Sequence, residues 1–260
     1  MTFLERPGYR LHYRIDGAPG DKPWLTFCNS LGTDLHAWDA QVKALSEQYC
    51  ILRYDRRGHG LSSAPPSPYA LSDLGGDVIA LLDALAIERT DFCGLSIGGL
   101  TGQWLGIHAR ERLGKIIVCA TAAKIGTAEG WNARIKLVQE NGLGHITAGT
   151  AERWFSPAFT TAKPAIVQDI LTRLVAVSAD AYIGCCAALA DADLTDQLGK
   201  ITNPLLAISG NDDSVCPPAD LQAIADGVQH GQHVSLPGRH IINVEATDAF
   251  NAAIIAFLSS

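Results

Sequence analysis

The chain has 260 residues, 47% of them apolar and 18% charged, and a formal net charge of −7. This balance fits one globular α/β core rather than disorder, and the acidic excess argues against nucleic acid as a partner, since phosphate binding needs a clustered basic surface. No stretch approaches the roughly 20 uninterrupted apolar residues of a membrane span, and residues 1–7 lack the apolar run of a signal peptide, so a cytoplasmic chain with no membrane partner is expected.

In chain order, strands are predicted at Arg10–Asp16, Trp24–Cys28 and Cys50–Tyr54, with a helix over Trp38–Leu45 between the last two. Apolar periodicity resumes at Leu71 and reaches Ile87. Asp91–Leu95 then reads as a strand running straight into Ser96 and a helix at Leu100–Arg110. After a strand at Ile116–Ala120, residues 124–192 are mostly helical, interrupted by Gly142, Gly144, Gly149, Pro157 and Pro164. Alternation returns with the strand Leu205–Ser209, the helix Pro218–Asp226, the strand Gln232–Leu236 and a last helix ending at Leu258. The pattern predicts a single α/β domain over 1–260, with a core of 1–123 and 193–260 bracketing a helical lid at about 124–192.

The junction at Ser96 carries chemistry. Gly94-Leu95-Ser96-Ile97-Gly98 fits Gly-x-Ser-x-Gly, in which a serine stands on a strained strand-to-helix turn and the glycines remove side chains that would collide. Ser96 is the expected nucleophile, and the amide of Ile97, at the helix start, points where an oxyanion forms. A second oxyanion donor is expected after the strand Trp24–Cys28, where Asn29-Ser30-Leu31-Gly32 offers the amide of Leu31. His59, in Asp55-Arg56-Arg57-Gly58-His59-Gly60, is expected to brace loops, and Arg57 is a candidate substrate contact.

A serine hydroxyl needs an imidazole to take its proton, and the imidazole needs a carboxylate to hold its tautomer. The order Ser, Asp, His is expected here. Two carboxylates, Asp212 and Asp213, end the strand Leu205–Ser209; Asp213 is preferred by its spacing to Pro217, with the inverted assignment open. His240, on Pro237-Gly238-Arg239-His240 after the final strand, occupies the place of the base. The seven cysteines lack paired ligand spacing and read as buried thiols, Cys185-Cys186 included; His230 and His233 lack a third ligand, so no metal is expected.

With these residues in place, nearly the whole chain resembles the α/β-hydrolase superfamily, and more narrowly the 3-oxoadipate enol-lactonases of aromatic-compound degradation. The narrower resemblance lies in residues 29–38, from Asn29 to Trp38, in Arg53-Tyr54-Asp55-Arg56-Arg57-Gly58-His59-Gly60, in Cys93-Gly94-Leu95-Ser96 and in residues 121–126, from Thr121 to Gly126. Many relatives carry His-Gly where this chain has Asn29-Ser30, and a small residue where it has Arg239.

The resemblance implies an α/β-hydrolase fold, a mostly parallel sheet flanked by helices. It also implies cofactor-free hydrolysis of a small anionic lactone, an enol-lactone with an acetate arm, to 3-oxoadipate in the beta-ketoadipate pathway. The substrate carboxylate needs an anchor, for which the lid supplies Trp131, Asn132, Trp154 and, first among them, Arg134, with Lys124 at its edge. Two other enzyme readings use the same three residues: a broad carboxylesterase or lactonase, and a cofactor-free haloperoxidase-like hydrolase. A noncatalytic small-molecule receptor is disfavoured by the presence of all three.

Overall fold

The computed structural model describes residues 1–18, 20 and 22–260. The strands β1 (Thr2–Arg6), β2 (Tyr9–Asp16) and β3 (Trp24–Cys28) are followed by a 3-10 turn, Leu35–Trp38, that runs into α1 (Asp39–Leu45). Then come β4 (Cys50–Tyr54), α2 (Leu71–Ala84), β5 (Thr90–Leu95), α3 (Ile97–His108) and β6 (Leu113–Cys119). Five helices follow before the next strand: α4 (Ala128–Asn141), α5 (Thr147–Trp154), α6 (Pro157–Ala162), α7 (Pro164–Ala176) and α8 (Ala179–Asp191). The chain closes with β7 (Leu205–Gly210), α9 (Pro218–Gly227), β8 (Gly231–Leu236), α10 (Ile242–Glu245) and α11 (Thr247–Leu258).

The eight strands form one sheet in the order β1-β2-β4-β3-β5-β6-β7-β8. The pairs from β4 to β8 are parallel, while β1 and β2 join antiparallel. From β3 the chain winds first outward to β4 and then back across to β5, so β3 and β5 are neighbours whose following loops diverge. Such a switch point opens a crevice at the carboxyl ends of the strands, and Ser96 follows β5 there.

The central strands read as continuous apolar runs because both faces are covered. Cys50–Tyr54 and Leu205–Gly210 are buried along their whole length. Phe27 stacks on Trp38 with ring centroids 4.5 Å apart, and Phe250 of α11 lies against the same indole. Each such fully buried aromatic or aliphatic side chain stabilises the fold by about 1.5–3 kcal/mol. On the other face α3 lies close to the sheet because it is glycine-rich: a Cβ at Gly102 would stand 2.8 Å from the Phe92 ring.

Several boundaries differ from the sequence expectation for local reasons. The short strand β1 was not predicted; it pairs with β2 from Thr2↔Tyr13 to Arg6↔Tyr9 as a hairpin closed at Pro7-Gly8, where Gly8 has a φ of 83°. Helix α2 ends at Ala84, short of Ile87, where Ala86 adopts a left-handed φ of 52°. Helix α3 begins at Ile97, three residues early, since the turn at Ser96 launches it directly. The last helix divides into α10 and α11. No single helix among the described residues is long and apolar enough to cross a membrane.

Candidate active site

Ser96 sits between β5 and α3 at φ 58° and ψ −120°, a conformation unfavourable for a residue with a Cβ. It is held from both sides: its N–H donates to Cys119 O at 2.8 Å, and its carbonyl accepts from Thr121 Oγ1 at 2.8 Å and Leu100 N at 3.0 Å. The flanking glycines make the turn sterically possible. A Cβ on Gly94 would overlap the Gly98 carbonyl, and one on Gly98 would overlap the Cys28 carbonyl at the end of β3.

After β7 the chain turns, with Asp213 N donating to Gly210 O at 3.2 Å. One carboxylate oxygen of Asp213 accepts from the amides of Val215 and Cys216 at 2.8 and 3.2 Å, which fixes the plane of the group. Its other oxygen accepts from His240 Nδ1 at 2.8 Å. Because a carboxylate can only accept, Nδ1 carries the proton and Nε2 is left to accept from Ser96 Oγ, 3.0 Å away. Ser96, Asp213 and His240 are thus in one hydrogen-bonded line, all buried. Asp212 points elsewhere: its side chain is 64% exposed and pairs with Arg239 Nε at 2.8 Å.

The amides of Leu31 and Ile97 have no hydrogen-bond partner among the described residues. The loop carrying Leu31 is pinned on every side. The side chain of Asn29 donates to Tyr54 O at 2.8 Å and accepts from Trp38 Nε1 at 2.9 Å, while Arg56 Nη2 donates to Asn29 O at 2.6 Å. This bridging ties the loop to the end of β4 and to the turn at Trp38. His59 acts on the same loop: its Nδ1–H donates to Arg57 O at 3.1 Å, so its Nε2 accepts from Gly32 N at 3.0 Å. Burial, together with the Arg56 charge, pushes His59 down to about 3, which keeps that nitrogen an acceptor.

A cavity of about 80 Å³ opens onto Ser96 and His240. Its floor includes Ser30 and Leu31, and its roof comes from the inserted helices: Trp131 and Arg134 of α4, Arg153 and Trp154 of α5, and Tyr182 of α8. Trp131 is fixed by donation from Nε1 to Ile125 O at 2.6 Å. Trp154 joins the roof to the loop of His240, since Ile241 N donates to Trp154 O at 3.1 Å. Arg134 and Arg153 make no ion pair with any carboxylate among the described residues. Burial and the neighbouring Arg134 charge lower the Arg153 guanidinium below its usual range, the direction expected of a cation with no acid paired to it.

Residues 27–253 match the Alpha/beta hydrolase family. The chain belongs to this family. It is 48% identical to 3-oxoadipate enol-lactonase 2 of Acinetobacter baylyi over 95% of this chain and 92% of that protein, and 40% identical to 3-oxoadipate enol-lactonase 1 of the same organism over 100% and 97%. The crystal structure of the enol-lactonase from Burkholderia xenovorans LB400 superposes with a TM-score of 0.98 at 39% identity, covering all of both chains.

Two expected substrate contacts in this α/β-hydrolase chain lie away from the cavity. Arg57 is buried in a bidentate pair with Asp77, with Nε and Nη2 both 2.8 Å from its oxygens, and it also donates to Tyr9 Oη. Its charge is spent on tying α2 to the turn after β4. Lys124 pairs with Asp193 at 3.1 Å on the outer surface. Conversely, Thr150, Arg153 and Tyr182 line the cavity without having been singled out from the sequence. For α5 a signal existed: Thr150, Arg153 and Trp154 recur at i, i+3 and i+4, one helix face. The seven cysteines are buried and free. His233 is engaged by Ser209 and Gln222, and no cluster of three or more metal-ligating side chains occurs among the described residues.

Proposed function

We propose that this chain is a carboxylic ester hydrolase that opens 3-oxoadipate enol-lactone to 3-oxoadipate, with Ser96 as nucleophile, His240 as general base and acid, and Asp213 as the carboxylate that orients it. The observation that carries the substrate assignment is the pair of arginines, Arg134 and Arg153, unpaired by any acid among the described residues and facing the cavity that holds Ser96. The names of the two Acinetobacter baylyi relatives support the same reading.

The arrangement suits the chemistry. Ser96 Oγ attacks the ring carbonyl as its proton passes to His240 Nε2, and the imidazolium is stabilised by Asp213. The amides of Leu31 and Ile97 hold the oxyanion, a contribution worth about 3–4 kcal/mol per donor in comparable sites. Collapse of this intermediate breaks the ring C–O bond. The enolate oxygen leaves, His240 returns the proton, and the enol becomes the ketone while still tethered through the acyl group. Water then attacks the acyl-enzyme, giving its proton to His240, and Ser96 is released with a new carboxylate on the product. We infer that residues 124–192 act as a lid for this chemistry, and that Trp131 and Trp154 orient the ring while Arg134 and Arg153 take the acetate arm. The protein is expected to work in the cytoplasm.

Turnover of 3-oxoadipate enol-lactone, measured beside a neutral lactone and p-nitrophenyl acetate, tests the reading. A strong preference for the enol-lactone that disappears in Ser96→Ala is expected. Equal or better rates on the neutral esters would overturn the lactonase assignment.

A further inference from the structure

Outside the catalytic cavity, between α4 and the start of α5, lies an open groove of about 400 Å³. It is lined by Ala133, Arg134, Leu137, His145, Gly149 and Arg153. Arg134 and Arg153 therefore face two spaces at once, the groove on one side and the cavity of Ser96 on the other. A glycine makes this possible for Arg153: a Cβ at position 149 would stand 3.3 Å from its Nη1, so the guanidinium lies directly along the α5 backbone. The only hydrogen bond of its head group among the described residues is a long one, from Nη2 to Thr150 Oγ1 at 3.4 Å. His145, exposed at the groove, adds an imidazole beside the two guanidiniums in a lining that holds no carboxylate among the described residues.

The wider electrostatics give this lining a purpose. With a net charge of −7 the protein as a whole repels an anionic substrate, and a local cationic mouth reverses that field over the last steps of approach. Ring opening raises the demand further, because a compact monoanion becomes an extended dianion in a cavity of only about 80 Å³.

We propose that this groove is a carboxylate-binding subsite, continuous with the catalytic cavity across Arg134 and Arg153, by which anionic substrate reaches Ser96 and the dicarboxylate product leaves. The ligand class rests on the proposed lactonase activity; the existence of the subsite does not. Adipate, an unreactive six-carbon dicarboxylate, is the probe, and its binding is followed by calorimetry at low salt. Ala133→Trp fills the groove from an exposed position of α4, and His145→Ala removes the outer base; neither residue lines the catalytic cavity. Adipate binding is expected to weaken about tenfold in Ala133→Trp and about threefold in His145→Ala, while p-nitrophenyl acetate turnover stays within about twofold of wild type. Unchanged adipate binding in Ala133→Trp, no adipate binding to wild type, or a parallel loss of ester turnover would each overturn the subsite. If adipate binding depends on the groove while the enol-lactone is not turned over, the lactonase assignment falls and the subsite stands.

Discussion

Replacing Asp213 with Asn is expected to lower kcat by about four orders of magnitude, and the structure shows why the effect is so large for one changed atom. One side-chain oxygen is already committed to the amides of Val215 and Cys216, so the substituted carboxamide would keep that oxygen where it is and turn its NH₂ toward His240. A donor facing Nδ1 selects the opposite tautomer, with the proton on Nε2, and that nitrogen can no longer accept from Ser96 Oγ 3.0 Å away. A factor of about 10⁴ corresponds to roughly 5 kcal/mol of lost transition-state stabilisation. The neighbouring Asp212→Asn removes only a largely exposed ion pair with Arg239, worth at most about 1 kcal/mol, so its rate should fall less than about fivefold. Initial rates on p-nitrophenyl acetate and on the enol-lactone, with thermal melts of both variants as a folding control, make the comparison. Equal losses in the two variants, or the larger loss in Asp212→Asn, would refute the tautomer argument.

Ser96→Ala should reduce kcat by at least about 10⁴ on every ester, because it removes the hydroxyl that the proposed mechanism needs, and should leave the melting temperature nearly unchanged, because the substitution keeps the Cβ and loses a single hydrogen bond to His240, as read from steady-state rates and calorimetry. Arg134→Gln should cost about 10- to 100-fold in kcat/KM on the anionic lactone and leave p-nitrophenyl acetate nearly unaffected, since only the former presents a carboxylate. Gly98→Ala should destabilise the fold by about 1–3 kcal/mol in urea titrations, as its Cβ would press on the Cys28 carbonyl. His59 makes a prediction in pH. Its folded-state value, pushed down by burial to about 3, lies below the ordinary unfolded value, so the unfolded chain binds one more proton between those limits. The stability it contributes is complete above about pH 6.5 and is lost as pH falls toward 3, with a slope near 1.4 kcal/mol per pH unit; denaturation of His59→Gln across that range should show the slope removed.

What the sequence determined by itself is local. Gly94, Ser96 and Gly98 state a strand-to-helix turn because a side chain at either glycine would collide with a backbone carbonyl, of Gly98 or of Cys28. Asp213 and His240 are legible because each follows a segment that reads as a strand, Leu205–Ser209 as an apolar run and Gln232–Leu236 by its alternation, and strand ends in a parallel sheet lie along one edge. The alternation of apolar runs and periodic segments likewise carries the sheet and its helices, with errors of a few residues where a single φ, as at Ala86, or a direct launch, as at Ile97, sets the boundary.

Tertiary structure decided everything that depends on which side chain meets which across the chain. Asp212 and Asp213 have the same chemistry and adjacent positions; only the placement of Arg239 and His240 assigns one to the surface and the other to the imidazole. Arg57, Lys124, Arg134 and Arg153 are likewise four cations with no label in the sequence. The first two meet Asp77 and Asp193, 20 and 69 residues away in the chain, and are neutralised, whereas the last two meet each other across the cavity roof with no acid between them among the described residues. A charge is a ligand for substrate only when the fold leaves it unpaired, and pairing at that distance along the chain is settled by packing, not by sequence neighbours.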